Sequence, residues 1–490
     1  MPEQFRVTGQ DWWLQLARPR AWLWFLGLYL LLHMGMRLLF SDTLQLDDAE
    51  QLVQSQAWRL DYGNFQPPFY TWVLWALWHV LDPSLWVLYL IRYLIIGLSF
   101  WLWYRVSLLL FDDPRWQVAS ASSWLLLGEF AWKLHQGSTH TTLLTLALLM
   151  SLHAIVLLLR SPRLRHYLYL GLAVGLGMMA KYSYAGFLLP MLVAALAAPD
   201  TRDRLLRWPM LFALGMAALV MLPALLSLFA ADAPVADRLQ DQTSYQLGGL
   251  VTGDPAVLLQ FGGGALAFLA PLWLVYAAIF KIPLFRSSPT SGGGWEGEIS
   301  VRALLNRFHL AVLVCVVGIA LFVGIDHLKS RWLHPFLTLV PFWWLLHASA
   351  HPVRRHAWTV LKWVTVALTV LVVVARLWQF LATPYVGKKP SRVTWPVAAA
   401  LRQLPPGLLD SPALAVPDTF LAAHIRVYAH RKVDTTLTQP DAGSGRVWMW
   451  GGLDRVEPEW AKRLSTASGR PPQWAMAQRG TAQYWIGWLR

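Results

Sequence analysis

The chain has 490 residues, of which 56% are hydrophobic and only 14% are charged. Soluble globular domains average about 45–50% apolar and about 25% charged residues, so this composition, with its long uncharged runs, excludes an ordinary soluble protein and indicates a polytopic membrane protein. The net charge of +14 is typical of basic cytoplasmic loops that contact anionic lipid, and we do not expect a nucleic-acid partner.

The apolar runs predict an all-α membrane domain with about eleven transmembrane helices. Helices are favoured over a barrel because runs such as 361–377 lack the alternation of barrel strands. Residues 1–21 have no apolar signal-peptide core, so the first span should remain as an anchor. The expected spans are 22–40, 84–111, 115–134, 141–160, 166–183, 184–199, 208–230, 261–285, 309–325, 332–350 and 356–382.

The first outer loop, residues 41–83, opens with the acidic residues Asp47, Asp48 and Glu50. One explanation is that these carboxylates simply face water. The other is a general base held at the bilayer edge, where a lipid-borne substrate can reach it. If this segment is helical, Asp47 and Glu50 share a face while Asp48 points elsewhere, so that one carboxylate can act as the base beside its neighbours.

The run 69–81 is apolar but too short to span a bilayer. It contains Tyr70 and three tryptophans, which prefer the headgroup level, and we interpret it as an interfacial helix; a short tilted span is the alternative. If the run 69–81 is not counted as a transmembrane span, the basic segments lie on the side of the N-terminus. These segments are 160–166, 202–207, 286–307 and 351–356. The acidic loop then lies on the opposite side, as the positive-inside rule requires.

Several other polar side chains are expected on the outer face. His135 and His140 lie in one turn and could assist a base or hold a metal, although histidines at a membrane edge are usually only interfacial. Four cations suit a phosphate at headgroup level: Arg92, Lys181, Lys329 and Arg331. Arg92 lies inside a predicted span, where a charge is costly and indicates function; snorkelling anchors are the alternative explanation.

The character of the sequence changes near residue 383, where prolines cluster and membrane-length apolar runs end. We predict a membrane domain over 1–383 and a small extracytoplasmic α/β domain over 384–490. In the C-terminal domain, Asp418 should cap a helix over 418–430. Strand-like runs occur at 413–416, 447–450 and 484–489. The segment 287–297 is predicted to be a flexible linker, and the single Cys315 excludes disulfides within the chain and a cysteine-based zinc site.

Together these features predict a site at the outer leaflet with a carboxylate base and a basic patch. A polyprenyl-phosphate sugar is a substrate that needs both. Its lipid tail remains in the bilayer, its phosphate is the leaving group, and the base only has to take a proton from an acceptor hydroxyl. Attack opposite the phosphate inverts the anomeric carbon.

At this point the sequence resembles a known family, the GT-C membrane glycosyltransferases of family 39, which includes relatives of protein O-mannosyltransferases and of the lipid A aminoarabinose transferase. The similar stretches, in order over roughly residues 20–350, are Leu46-Asp47-Asp48-Ala49-Glu50, Gln66-Pro67-Pro68-Phe69-Tyr70, Arg92, Ala180-Lys181-Tyr182 and Lys329-Ser330-Arg331-Trp332-Leu333-His334-Pro335.

The resemblance implies a GT-C fold in which Asp47 is the catalytic base and Asp48 takes the place of its acidic partner. The basic positions would bind the donor phosphate, and the C-terminal domain would help to receive the acceptor. Substrate contacts are expected from Glu50, Gln66, Tyr70, His135, Tyr182, Asp326 and His327. The chain departs from the family at two positions: His140 stands where many members have an acid, which makes it a further catalytic candidate, and Gln66 stands where His or Lys is common.

The sequence therefore predicts a glycosyltransferase of a bacterial inner membrane with its active site facing the periplasm. The acceptor can be a glycan, a lipid or a protein, no cofactor is required by the pattern, and a divalent metal is possible. A polyprenyl-lipid flippase is the main alternative, although it would favour ionisable residues at the midplane and inverted repeats. A non-catalytic scaffold would leave the clustering of Asp47, Lys181 and Arg331 on one face unexplained.

Overall fold

The structure is a computed structural model that describes residues 11–63, 66–229, 256–281, 296–322, 330–386, 391–435 and 446–489. Most of the described chain is helical, and a small sheet follows at the C-terminal end. Five helices in this part of the chain are long and apolar enough to cross a membrane, namely Pro19–Phe40, Leu85–Leu110, Thr139–Arg160, Ser300–Ile319 within Glu296–Phe322, and Arg355–Leu381. The protein is thus a multi-pass membrane protein with the predicted all-α main domain.

The remaining α-helices are shorter and pack among the long ones. In chain order they are Trp12–Gln15, Leu46–Gln54, Phe69–Leu77, Pro114–Ala121, Gly128–Ala131, Leu164–Ala180, Ala185–Leu196, Pro199–Leu205, Met210–Phe229, Ala256–Leu269, Leu272–Phe280, His334–Leu337 and Val340–Ala348, and the C-terminal region adds Val397–Leu401, Thr419–Tyr428 and Glu459–Ser468.

One expected span, 115–134, is not a continuous helix. The segment breaks into Pro114–Ala121, Gly128–Ala131 and two short 3₁₀ turns. Serine hydroxyls compete for the helical carbonyls here: Ser122 donates to the Val118 carbonyl at 2.7 Å and Ser123 to the Ser120 carbonyl at 2.7 Å. Such back-bonding disfavours a regular helix. The segment is buried by protein almost throughout, which makes irregular backbone tolerable at membrane depth.

Two other expected spans are interrupted at prolines. The run 261–285 divides between Ala256–Leu269 and Leu272–Phe280, and the run 332–350 divides between His334–Leu337 and Val340–Ala348. Pro335 lies in the first turn of His334–Leu337, and Pro341 lies in the first turn of Val340–Ala348. At these positions the missing N–H of proline costs nothing. Apolar composition predicted each run as one span, whereas the prolines decide where each helix restarts.

The predicted interfacial helix is present as Phe69–Leu77, nine residues that begin directly after Pro67 and Pro68. At 1.5 Å per residue its length is about 14 Å, roughly half of a bilayer core. A helix of this length is too short to cross a bilayer core by itself, which supports the prediction of an interfacial helix.

The C-terminal region contains the predicted α/β unit. Its four strands are β1 (Leu414–Ala415), β2 (Val447–Gly452), β3 (Gln473–Arg479) and β4 (Ala482–Leu489). They lie in the order β1-β2-β4-β3, with β1 parallel to β2 and the other pairs antiparallel. Asp418 caps Thr419–Tyr428 as predicted, accepting from the Leu421 N–H at 2.6 Å. The helix Glu459–Ser468 and strand β3 were not predicted.

The long helices have two chemically different ends. At one end, Lys362 bonds Asp11 at 3.2 Å, Arg307 donates to the Ala194 carbonyl at 3.2 Å, and Arg160 and Arg204 bond carbonyls of neighbouring helices. The opposite end holds Leu46–Gln54, Phe69–Leu77 and the C-terminal sheet unit. The basic and acidic segments therefore separate as the loop charges predicted. The predicted linker 287–297 lies mostly outside the described residues.

Candidate active site

The acidic residues of the first outer loop lie on a nine-residue helix, Leu46–Gln54, which we call the acidic helix. Asp47 and Asp48 occupy its first turn, where a negative charge interacts favourably with the helix dipole. The residue before the helix, Gln45, is extended and makes no side-chain cap bond. The helix thus depends on its surroundings for support at its N-terminal end.

Asp48 forms a buried ion pair with Arg92 of the helix Leu85–Leu110. The Asp48 side chain is 0% exposed and that of Arg92 1%, so each charge stabilises the other in a site where an unpaired charge would be very costly. The second carboxylate oxygen, Oδ2, has no hydrogen-bond partner among the described residues. This pair shows that Asp48 points inward, whereas the helical pattern had indicated only that it would not share the face of Asp47 and Glu50.

Asp47 lies on a different face and is half-buried. Within the part of the chain that the structure describes, its carboxylate makes no hydrogen bond or ion pair. It is nevertheless close enough to interact electrostatically with Tyr70, Arg92 and Arg392. Asp47 is thus a carboxylate with cations nearby and its oxygens uncommitted, which is the arrangement that a general base needs.

Tyr70 and Arg392 border Asp47 from two different elements. Tyr70, in Phe69–Leu77, is buried and its hydroxyl has no partner among the described residues; burial and the negative charge of Asp47 raise its pKa. Arg392, near the start of the C-terminal region, packs over the rings of Trp395 and Phe420. Burial lowers the pKa of Arg392 while the Asp47 carboxylate opposes that shift.

A chain of hydrogen bonds holds the inner face of the acidic helix. Gln51 donates to His140 Nε2 at 3.2 Å and accepts from the Thr71 hydroxyl at 2.6 Å. His140 Nδ1 contacts the Ala180 carbonyl at 3.1 Å, so the imidazole carries its proton on Nδ1. Both ring nitrogens are therefore engaged by protein groups. The histidine that stands in place of the family's acid ties the acidic helix to two membrane helices.

His135 is also in this region, and its ring contacts residues of two long helices. Its Nε2 lies 3.0 Å from the Tyr29 hydroxyl and its Nδ1 3.4 Å from the Tyr93 hydroxyl, and its ring stacks on His33. It is almost completely buried, and burial holds its pKa well below the usual range. These contacts give His135 a packing role in this structure.

Two further buried arginines were not predicted from the sequence. Arg37, in Pro19–Phe40, donates to the Ser41 hydroxyl at 2.6 Å and to the Thr43 carbonyl. Arg376, in Arg355–Leu381, donates to the His135 carbonyl at 3.2 Å. Both are at most 2% exposed, and a charge inside an apolar span was the signal that singled out Arg92. If every charged residue within an apolar span is taken as a candidate, Arg37 and Arg376 are also predicted.

The structure describes five of the other predicted site residues, and three more lie outside the described residues. Lys181 is buried and donates to the Thr141 hydroxyl at 3.2 Å, Glu50 accepts from Gln54 at 3.2 Å, and Tyr182 begins a 3₁₀ turn at the end of Leu164–Ala180. Gln66 has a buried amide oxygen without a partner among the described residues. Arg331 belongs to the 3₁₀ turn Ser330–Leu333, whereas the predicted sites Asp326, His327 and Lys329 lie outside the described residues.

A metal site was left open by the sequence. Among the residues that the structure describes, no three His, Cys, Asp or Glu side chains are grouped closely enough to share an ion. Of the two histidines suggested for such a site, His140 has both ring nitrogens engaged, by Gln51 and by the Ala180 carbonyl.

The C-terminal unit packs directly on the acidic helix. Leu44 and Leu52 belong to the same buried hydrophobic cluster as Leu421 and Ile425 of Thr419–Tyr428. Ser41 and Thr43 donate to the carbonyls of Val393 and Trp395 at 2.6 and 2.7 Å. The site is therefore enclosed between the membrane helices and the C-terminal unit, and no local pattern in the sequence indicates which of their surfaces meet.

Comparison with known proteins gives a consistent family. Residues 65–227 match the family model for dolichyl-phosphate-mannose-protein mannosyltransferases. The chain is 30% identical over 333 residues to the lipopolysaccharide core galacturonosyltransferase RgtA of Rhizobium johnstonii, an alignment that spans 66% of this chain and 64% of the relative. It is 27% identical to RgtB of the same organism over 92% of each chain.

The fold is similar to solved structures of ArnT from Cupriavidus metallidurans, in the apo state and bound to undecaprenyl phosphate. The TM-score is 0.58 at 12% identity, over 96% of this chain and 98% of ArnT. At this identity the likeness concerns the fold alone. The family match, the two named transferases and the ArnT fold together support a membrane glycosyltransferase of the GT-C class, similar to family 39.

Proposed function

We propose that the protein transfers a sugar from a polyprenyl-phosphate donor to an acceptor hydroxyl, with Asp47 as the general base. The observation that carries this proposal is the division between the two neighbouring aspartates. Asp48 is buried and paired with Arg92, whereas Asp47 is half-buried with its oxygens uncommitted among the described residues. Only the second arrangement suits a group that must accept a proton.

In the proposed reaction the acceptor oxygen attacks the anomeric carbon of the donor sugar. Its proton moves to a carboxylate oxygen of Asp47 as the new carbon–oxygen bond forms. The bond from the anomeric carbon to the phosphate oxygen breaks on the opposite face, and polyprenyl phosphate leaves with that electron pair. The product is a glycoside with inverted configuration, and the proton on Asp47 returns to solvent.

Cations near Asp47 would bind the donor phosphate and stabilise the charge that develops on it. Arg392 is the one that the structure adds to the predicted set, since it interacts with Asp47 electrostatically and its Nε has no partner among the described residues. Lys181, Lys329 and Arg331 remain candidates from the sequence. Arg92 would act mainly by fixing Asp48, because its charge is already paired.

For the sugar and the acceptor, the two named relatives supply the first hypothesis. Both are lipopolysaccharide core galacturonosyltransferases, so we propose a uronic acid donor and a lipopolysaccharide core acceptor. ArnT, which shares the fold, is seen with undecaprenyl phosphate, which supports a polyprenyl carrier. The proposed location is a bacterial inner membrane with the site facing the periplasm.

The test is a transfer assay with the purified full-length protein in detergent or liposomes. Polyprenyl-phosphate galacturonic acid is compared with matched donors that carry galactose, glucose, mannose and aminoarabinose, with lipopolysaccharide core as the acceptor, and free polyprenyl phosphate is quantified. We expect release to be fastest with galacturonic acid and to depend on acceptor. Movement of intact donor between leaflets without release would support a flippase and overturn the proposal.

A further inference from the structure

We propose that His424 and Arg426, on one helix of the C-terminal unit, are positioning residues that hold the acidic helix at both of its ends and thereby fix Asp47. This proposal rests on the proposed role of Asp47. The helix that carries both residues, Thr419–Tyr428, lies against the acidic helix. Neither residue touches the reacting groups in the scheme above, so their influence must pass through the backbone.

His424 holds the N-terminal side. The Leu44 N–H donates to His424 Nε2 at 3.1 Å, and His424 Nδ1 contacts the Phe420 carbonyl at 2.7 Å. The ring must therefore carry its only proton on Nδ1 and offer a lone pair at Nε2. The ring is 0% exposed and burial lowers its pKa to about 4, which keeps it in this neutral form at neutral pH. The Leu44 amide lies three residues before Asp47.

Arg426 holds the C-terminal side. Its Nη1 donates to the Leu52 carbonyl at 2.5 Å and its Nη2 to the Ser55 carbonyl at 3.4 Å. The side chain is 4% exposed. Burial lowers its pKa only to about 10, so the guanidinium stays charged. A cation at the C-terminal end of a helix satisfies carbonyls that lack intrahelical partners and interacts favourably with the helix dipole.

Flanking contacts complete the clamp formed by His424 and Arg426. The Tyr428 hydroxyl donates to the Asp42 carbonyl. Gln56 donates to the Val433 carbonyl at 3.2 Å and accepts the Val433 N–H at 2.7 Å. Contacts from the C-terminal unit therefore extend from residue 41 to residue 56, on both sides of the acidic helix.

The acidic helix needs this support. It is nine residues long and has no side-chain N-cap, and isolated helices shorter than about 12–15 residues are marginal in water. General-base catalysis depends on placement, and a displacement of about 1 Å can cost about 10²-fold in rate. Loosening the clamp should therefore lower kcat while leaving donor affinity nearly unchanged.

The experiment compares His424→Phe and Arg426→Met with the conservative variants His424→Gln and Arg426→Lys. His424→Phe removes the acceptor, and Arg426→Met removes the donor. In His424→Gln the amide oxygen can still accept the Leu44 N–H. In Arg426→Lys the ammonium can still donate to the carbonyls. Arg431→Met is the matched control, because Arg431 donates to the Leu409 carbonyl within the C-terminal unit. Readouts are kcat and KM with the donor proposed above, and hydrogen–deuterium exchange of the amides in 44–56.

We expect His424→Phe and Arg426→Met to lower kcat at least tenfold, to change donor KM less than threefold, and to accelerate exchange over 44–56 without a change in the long helices. The conservative variants should recover most of the kcat, and Arg431→Met should resemble wild type. Unchanged kcat and exchange in both disruptive variants would overturn the proposal. If exchange rises but Asp47→Asn remains fully active, the clamp holds the helix but Asp47 is not the base, so the two failures are distinguishable.

Discussion

At the scale of single residues, the site separates two adjacent carboxylates by their environment. Asp48 shares a buried ion pair with Arg92, whereas Asp47 keeps its oxygens uncommitted among the described residues. The helical spacing of the sequence predicted that the two would point in different directions. It could not predict that Arg92 pairs with Asp48, because that depends on how the helix Leu85–Leu110 packs against the acidic helix.

We predict that Asp48→Asn destabilises the protein far more than Asp47→Asn. Removing one partner leaves Arg92 buried and unpaired, which typically costs about 3–5 kcal/mol. Asp47 makes no bond to lose within the described chain. Melting temperatures in detergent measure this, with the double variant Asp48→Asn/Arg92→Met as the control that should recover most of the stability. Equal melting temperatures for the two single variants would show that the ion pair contributes nothing.

A second prediction at this scale concerns pH and His424. Its pKa is about 4 in the folded protein and about 6.5 in an unfolded chain. Because the folded state disfavours the protonated ring, its contribution to stability is complete above about pH 6.5 and is lost as the pH falls towards 4. The maximum loss is about 3 kcal/mol.

Melting temperatures of wild type and His424→Gln between pH 7.5 and 4.5 test this. Glutamine does not titrate, so wild type should lose more stability than the variant as the pH falls, although other groups titrate in both. Parallel pH profiles would show that protonation of His424 is not coupled to folding.

At the scale of elements, composition and periodicity predicted several helices and strands. The interfacial helix, the Asp418-capped helix and strands β2 and β4 are all present near the predicted bounds. The broken segment 114–136 was missed because its serines and Gly128 interrupt a run that is apolar enough to span. Contacts between elements distant in sequence, such as Leu44 with His424, have no local signal.

The turn at Gly137 gives an element-level prediction. Gly137 has a φ of +119°, and a Cβ there would lie 2.5 Å from Cβ of Gln45 and 3.6 Å from Asp48 Oδ2. Gly137→Ala should therefore push the turn away from the start of the acidic helix, with about 1–3 kcal/mol of backbone strain and a clear loss of transfer activity. Gly128→Ala, where a Cβ meets nothing within 4 Å, is the control, and a Gly137 variant that behaves like this control would contradict the account.

At the scale of the whole molecule, the loops at the two ends of the long helices differ in charge. Basic loops collect at one end, and the acidic helix and C-terminal unit lie at the other. Loop charges in the sequence were sufficient to predict this separation. The enclosure of the site by the C-terminal unit was not predictable in the same way, because it depends on the complementary shape of two folded surfaces.

Cysteine labelling tests the orientation of the molecule. In a Cys315→Ala background, which removes the only native cysteine, single cysteines replace the exposed residues Lys432 and Arg163. An impermeant maleimide added to cells with a permeabilised outer membrane should label the Lys432→Cys variant, and should label the Arg163→Cys variant only after lysis. The reverse pattern would place the site in the cytoplasm.

The transfer rate of Asp47→Asn beside wild type, under saturating donor, tests whether Asp47 takes the proton from the acceptor. General bases contribute about 10²–10⁴-fold to rates, so kcat should fall by at least about 10²-fold while the variant keeps wild-type melting temperature and donor affinity. A variant that transfers sugar at the wild-type rate would contradict the mechanism at its centre.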